Sequence, residues 1–290
     1  MRFGAIEAGG TKFVLAVGSS PRSIDALHVI PTRTPEVTLA EALDWFRSAG
    51  PIDAMGIGSF GPAVVDPEAA GWGSIGNTPK PGWSGCDIAG FFSRELDVPV
   101  GFDTDVNAAA LAESRLGAGA GRGTLAYVTV GTGIGGGLVI GGEPVHGVAH
   151  PEMGHIFPRR AGGDEEFTGI CPSHGDCLEG LASGPAIMRR WGRSLSDLPR
   201  KHAAHGIIAD YLAQLCHSIF AMTAAELIVL GGGVLGTPGL LDRVRNRAAG
   251  LNADYLPGTA AHSIVAPGLR QGSGLAGAMI LAERAGRELY

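Results

Sequence analysis

The segment that starts at His150, HPEMGHIFPRRAGGDEEFTGICPSHGDCLEG, gathers three histidines, two cysteines and several acids into one stretch broken by Gly and Pro. His155, Cys171, His174 and Cys177 read H-x15-C-x2-H-x2-C. Two imidazoles and two thiolates suit tetrahedral Zn2+, and four protein ligands leave no open position for a catalytic water. The spacing points to a structural staple. The alternative is a pair of free thiols beside surface histidines. A metalloprotease centre does not fit, because His150-Pro151-Glu152-Met153-Gly154-His155 is not H-E-x-x-H and Pro151 with Gly154 opposes the helix that motif needs. A stapled loop would carry Glu152 and Glu179. Their carboxylates either meet the hydroxyls of a polyol or stand as solvated surface acids.

Three glycine turns are the next chemistry-bearing features. Gly9-Gly10-Thr11-Lys12 offers backbone N–H groups, a hydroxyl and a cation, which is what a phosphate needs. It is also what an ordinary hairpin turn looks like, and the GxxxxGK[ST] pattern of a Walker loop is absent. Gly131-Thr132-Gly133-Ile134-Gly135-Gly136 matches G-x-G-x-x-G, but GLVIGG follows it. That continuation reads as a second strand, so a dinucleotide fingerprint is rejected and a phosphate-facing hairpin turn remains. Gly231-Gly232-Gly233 follows the apolar run ELIVL, where a turn at a strand's carboxyl end commonly borders a ligand crevice. Asp105, two residues after Asp103, falls between a strand and a helix. It is either a helix-capping residue or a general base that takes the proton of an attacking hydroxyl.

These residues need elements to hold them. FGAI and FVLAV flank the first turn and predict a β-hairpin over residues 2–18. The pattern predicts helices at Ala40–Ala49, Ile88–Leu96, Val106–Leu116, Ile207–Glu226 and Ser273–Tyr290. It predicts strands at Ile52–Ile57, Val98–Phe102, Thr124–Val130, Leu138–Ile140 and Leu227–Leu230. The helix over 207–226 has Ile208, Tyr211, Leu212, Leu215, Ile219 and Met222 near a 3.6 period, with Cys216 as core filling. Residues 60–86 and most of 141–185 read as loop. Strand, glycine turn, strand recurs at 125–140, so two similar α/β lobes with a cleft between them are expected. The join falls in the glycine-rich run after Leu116.

The chain has 290 residues, 45% of them hydrophobic and 17% charged, with 48 glycines, four cysteines and a formal net charge of −6. No basic run suggests a nucleic-acid footprint, and no uncharged apolar run reaches the ~18 residues of a membrane span. No signal-peptide pattern stands at the N-terminus. A cytoplasmic protein is expected, with thiols or metal-bound thiolates rather than disulfides.

Taken together and in this order, Glu7-Ala8-Gly9-Gly10-Thr11-Lys12, Asp103-Thr104-Asp105-Val106-Asn107, Gly131-Thr132-Gly133-Ile134-Gly135, Glu152-Met153-Gly154-His155 and Cys171…Cys177-Leu178-Glu179-Gly180 resemble the ROK family of repressors, open reading frames and sugar kinases. Within it, Glu7, Thr104, the block from Asn77 to Trp83 and the block from Cys171 to Pro185 are similar to the bacterial fructokinases. The resemblance covers essentially the whole chain. It implies an α/β, two-lobed, actin-like ATPase (ribonuclease H-like) fold with an interlobe cleft and a zinc-stapled loop. Residues 1–117 would form one lobe, with 273–290 packing back on it. Residues 118–272 would form the other and carry the loop 150–180.

The activity implied is phosphoryl transfer from ATP, with Mg2+, to the 6-hydroxyl of D-fructose, with Asp105 as base. Gly61, Pro62, Asn77, Thr104, Glu152, His155 and Glu179 would meet the sugar, and His155 would also ligate zinc. Gly9, Gly10, Thr11, Lys12, Thr132 and Gly133 would hold phosphates. Pro185, Gly231, Gly232 and Gly233 would border the adenosine. Many members have Asn where Thr104 stands and C-x-C-G-x-x-G-C where this chain has C-x-x-H-x-x-C. The first departure is compatible with a ketose, and the second leaves two Cys and two His for zinc. Mannose, glucose and N-acetylmannosamine are the alternative sugars. A sugar sensor is the alternative class, opposed by Asp105 and by a first strand that starts at about Arg2. A homodimer that engages neither nucleic acid nor membrane is expected.

Overall fold

The computed structural model describes residues 1–270 and 272–287. Contacts divide the chain into two units. The first comprises Met1–Arg115, Glu143–His150 and the chain from Leu269 onward; the second comprises Leu116–Gly142 and Pro151–Gly268.

In the first unit, β1 (Phe3–Ala8) and β2 (Lys12–Ser20) form the expected antiparallel hairpin, with Ala8 opposite Phe13. β3 (Ser23–Pro31) continues it antiparallel at the edge. α1 (Pro35–Ala49), β4 (Ala54–Ser59), α2 (Ile88–Leu96), β5 (Val100–Thr104) and α3 (Asp105–Leu116) follow. The sheet order is β3-β2-β1-β4-β5, with β1, β4 and β5 parallel. Parallel strands need cover on both faces, and their composition provides for it. Ile6, Ala8, Phe13 and Leu15 are buried in one cluster with Leu39, Leu43 and Phe46 of α1 and Ile88 and Phe92 of α2. Phe3, Ala5, Ala16 and Ala54 are buried in a second with Leu275, Ala278, Met279 and Ala282 of the C-terminal helix.

In the second unit, β6 (Thr124–Val130) and β7 (Ile134–Ile140) form the second hairpin, with Val130 opposite Ile134. β8 is the two-residue strand Glu143–Pro144, within the segment that groups with the first unit. The second unit then contains α4 (Leu178–Ala182), α5 (Gly184–Trp191), α6 (Ala204–Thr223), β9 (Leu227–Gly231), α7 (Leu240–Asn252) and β10 (Ser263–Val265). Its strands run in the order β10-β9-β6-β7, with β6, β9 and β10 parallel. A hairpin whose first strand pairs parallel with a later strand thus occurs once in each unit.

α8 (Ser273–Arg287) packs on β1, β4 and β5. The last three residues of the helix expected over 273–290 lie outside the described residues. α6 buries Ile208, Tyr211, Leu212, Leu215, Cys216 and Ile219. Met222, expected on the same stripe, is exposed: it lies in the last turn, one residue before the helix ends at Thr223 and Ala224 turns left-handed. Among the described residues no helix is long and apolar enough to cross a membrane.

Candidate active site and metal centre

β5 runs two residues beyond its apolar pattern, because Asp103 and Thr104 pair with Gly58 and Ser59 of β4. Thr104 Oγ1 accepts from the Asn107 backbone N–H at 3.1 Å, which makes Thr104 the cap of α3. The capping bond to Asn107 therefore does not fall to Asp105. Asp105 opens the helix, half-buried, with its Oδ1 accepting from Val106 N–H at 2.8 Å. A carboxylate is favoured at that end of the helix dipole.

Behind it, Asp103 is 2% exposed and takes three donors. Oδ1 accepts from Thr104 N–H at 2.7 Å and from Asn107 Nδ2 at 2.8 Å, and Oδ2 lies 3.0 Å from His146 Nε2. The bond to Asp103, reinforced by the Asp103 and Asp66 charges, raises the His146 pKa above its ordinary value against the opposing effect of burial.

The first glycine turn closes with Gly9 N–H donating to Lys12 C=O at 2.9 Å. Thr32 braces it, its N–H donating to Thr11 C=O and its hydroxyl to Gly9 C=O. Lys80 Nζ donates to Gly10 C=O. Gly10, Thr11 and Lys12 are exposed. Burial raises the Glu7 pKa, partly countered by Lys12.

Gly61-Pro62 is a cis peptide. Gly76 N–H donates to Pro62 C=O at 2.6 Å and Ala63 bridges Ile75. These bonds set the exposed Asn77 beside Gly61-Pro62, so three residues expected to face a sugar are neighbours. His150 Nε2 accepts from Ala63 N–H at 3.1 Å in the same place.

In the second unit, Gly131, Thr132, Gly184, Pro185, Gly233, Val234 and Thr237 line a cavity of about 580 Å³, with Ile187, Met188 and Leu195 supplying its apolar wall. Gly184 N–H donates to Gly131 C=O at 2.8 Å and ties two of its walls together. Gly232 adopts φ +92°, and any Cβ there would run into the Val130 backbone. Gly231 ends β9, buried. Glu179 Oε2 accepts from Ile134 N–H at 2.9 Å, next to Gly133, where a Cβ would meet Glu179 Oε2 at 2.6 Å. That carboxylate thus braces the second glycine turn.

The ligand atoms of His155, Cys171, His174 and Cys177 all lie within 4.8 Å of one another. The two Nδ1 atoms are 3.2 Å apart. His155 Nδ1 is 3.8 and 3.5 Å from the Cys171 and Cys177 sulfurs, and His174 Nδ1 is 3.7 Å from Cys171. Two nitrogens and two sulfurs so gathered fit a structural metal. Burial first, and then the neighbouring Cys171, push the Cys177 thiol up to about 11 against backbone hydrogen bonds that lower it, and a dication among these atoms would reverse that shift. His155 Nε2 points away from the cluster, 3.9 Å from Glu152 Oε2.

A second brace on this loop escapes the sequence. Buried Asp164 pairs with Arg190 Nη1 at 3.0 Å and accepts from Tyr211 Oη at 2.6 Å. The Arg190 guanidinium lies over the Phe167 ring at 4.0 Å. Arg160 Nη2 donates to Asp164 C=O and its Nη1 to Asp176 at 3.1 Å. Tyr211, Arg160 and Arg190 lie far from Asp164 or outside any motif, so no local pattern announces them.

The family model that describes the ROK family matches residues 3–285. The chain belongs to the ROK family. It is 46% identical over 288 residues to a fructokinase of Zymomonas mobilis, covering 97% of this chain and 96% of that one. It is 41% identical over 286 residues to a fructokinase of Pediococcus pentosaceus, covering 98% and 99%. Among solved structures, the ROK hexokinase of Thermus thermophilus superposes with a TM-score of 0.79 at 28% identity, covering 99% of this chain and 100% of that one. The two-unit α/β fold is that of ROK sugar kinases.

Proposed function

We propose that this chain is an ATP-dependent fructokinase that transfers the γ-phosphoryl group of ATP to the 6-hydroxyl of D-fructose. The end-to-end match to fructokinases at 46% identity carries this reading. Asp105 supports it, standing at the carboxyl end of a parallel strand and the start of a helix. Asp105 accepts the O6 proton as O6 attacks phosphorus, and ADP leaves. Asn77, Gly61, Pro62, Thr104, Glu152, His155 and Glu179 orient the sugar. Gly9, Gly10, Thr11, Lys12, Thr132 and Gly133 hold phosphates through N–H, hydroxyl and ammonium donors. The 580 Å³ cavity takes the adenosine, with Pro185 and Gly233 in its lining and Gly231 and Gly232 immediately before Gly233 in the chain. Bound Mg2+ supplies charge neutralisation at the phosphates.

Zinc is our reading of the metal. Bond lengths of about 2.05 Å to N and about 2.3 Å to S in a tetrahedron require N···N near ~3.3 Å and N···S near ~3.6 Å. The N···N distance is 3.2 Å, three of the N···S distances are 3.5–3.8 Å, and all four ligand atoms lie within 4.8 Å of one another. His155, ligating through Nδ1, keeps Nε2 for Glu152 or a hydroxyl. The protein acts as a cytoplasmic homodimer without nucleic acid or membrane, which size-exclusion chromatography with light scattering tests for the dimer. The similarity to a ROK hexokinase favours mannose, glucose or N-acetylmannosamine as the second reading. ADP release on each sugar separates the two. Fructose must give the highest kcat/KM, and a higher value on another hexose would replace the substrate.

A further inference from the structure

The segment Glu143–His150 leaves and re-enters the second unit's sequence yet groups with the first unit. It is held there at three points. Glu143 takes both Nη atoms of Arg284 at 2.6 and 2.9 Å, His150 accepts from Ala63 N–H, and His146 meets Asp103. The first two are anchors. The third touches the turn that presents Asp105. We propose that His146 is a positioning residue for phosphoryl transfer: through the buried Asp103 carboxylate, its imidazole fixes the β5–α3 turn that aims Asp105. The proposal rests on the kinase reading above.

The bond has a definite polarity. An ionised carboxylate only accepts, so Nε2 carries the hydrogen and Nδ1 is the position that titrates. Asn107 Nδ2, 3.3 Å from Nε2, is itself committed to Asp103 Oδ1 and cannot replace Asp103 as the acceptor. The charges that face His146 are Asp103 of β5 and Asp66 of the loop after β4, both negative.

The consequence for Asp105 follows from connectivity. Asp103 Oδ1 binds Thr104 N–H and the Asn107 side chain, and Thr104 Oγ1 binds Asn107 N–H. Thr104 and Asn107 therefore bracket Asp105 and are coupled through one carboxylate. Without His146, Oδ2 loses its donor while remaining buried, a cost the carboxylate relieves by rotating. Rotation shifts both bonds at Oδ1 and with them the direction of Asp105. Misplacement of about 1 Å in a reacting group costs on the order of a hundredfold in rate.

The test compares wild type, His146→Phe, which removes the donor, and His146→Gln, which keeps an N–H that does not titrate. ADP release at saturating fructose and MgATP is followed from mildly acid to alkaline pH, and the imidazole titration is read by NMR in wild type and Asp103→Asn. The expected result is a kcat lowered about tenfold to a hundredfold in His146→Phe, with little change in KM for ATP or in Tm. Gln should restore most of the kcat, and wild type should hold its kcat as Nδ1 deprotonates, because Nε2 keeps its hydrogen. The His146 pKa should fall in Asp103→Asn. An unchanged kcat in His146→Phe, or a loss that Gln does not reverse, overturns the proposal. Wild type inactive on every sugar would instead remove the kinase reading. The NMR titration then still decides whether Asp103 and His146 are coupled, and an unchanged pKa in Asp103→Asn refutes that coupling.

Discussion

Asp105 carries the account at the residue scale, and Asp105→Asn removes a basic site while keeping the side chain's shape. We expect kcat to fall by about 10²–10⁴-fold, with Tm and the KM for fructose little changed. Steady-state kinetics beside a thermal melt check both. His146 gives a pH prediction for stability. Its folded pKa is raised, so the imidazolium–Asp103 pair contributes fully below the unfolded value of about 6.5 and is lost as pH rises through the raised folded value. Urea titrations should show the largest stability gap between wild type and His146→Gln in mildly acid solution. A gap that grows toward alkaline pH contradicts the pairing. The place of Asp105 at a strand-to-helix junction was legible because it is local, and the clustering of Cys171, His174 and Cys177 because x2 spacings join them, with His155 earlier in the same loop. The His146–Asp103 pair spans 43 residues, and nothing near either residue indicates the other.

At the scale of elements, the hairpins and α6 were readable because alternation and the 3.6 period are strong over their length. β3 was not assigned, since Ile30 is its only buried residue and an edge strand without a buried face has no pattern to read. β5 was expected to end at Phe102 but runs through Asp103 and Thr104, polar residues whose burial depends on the Asn107 and His146 bonds. The loop over 150–180 has the Asp164–Arg190 brace and the proposed metal brace, and each can be removed. Cys177→Ser, or chelation, should release about one metal ion per chain and lower Tm by roughly 10 °C or more. Metal analysis with calorimetry reads both, and full stability without metal would end the staple idea. Asp164→Asn leaves the Arg190 guanidinium buried without its charge partner and should cost about 3–5 kcal/mol of unfolding free energy in urea.

At the scale of the whole molecule, the repeat was legible: strand, glycine turn, strand recurs, and each copy pairs parallel with a later strand in its own sheet. That the C-terminal helix returns to the first unit was expected, but that Glu143–His150 joins it was not legible, because chain order says nothing about which unit a short segment joins. The family follows from the full-length match, and the sugar is the claim most exposed to refutation. The most direct test is ADP release with MgATP across fructose, mannose, glucose and N-acetylmannosamine, with Asp105→Asn run beside wild type. The account predicts the highest kcat/KM on fructose, collapsing in the variant. Preference for another sugar would contradict the substrate, and no turnover with sugar binding intact would contradict catalysis itself.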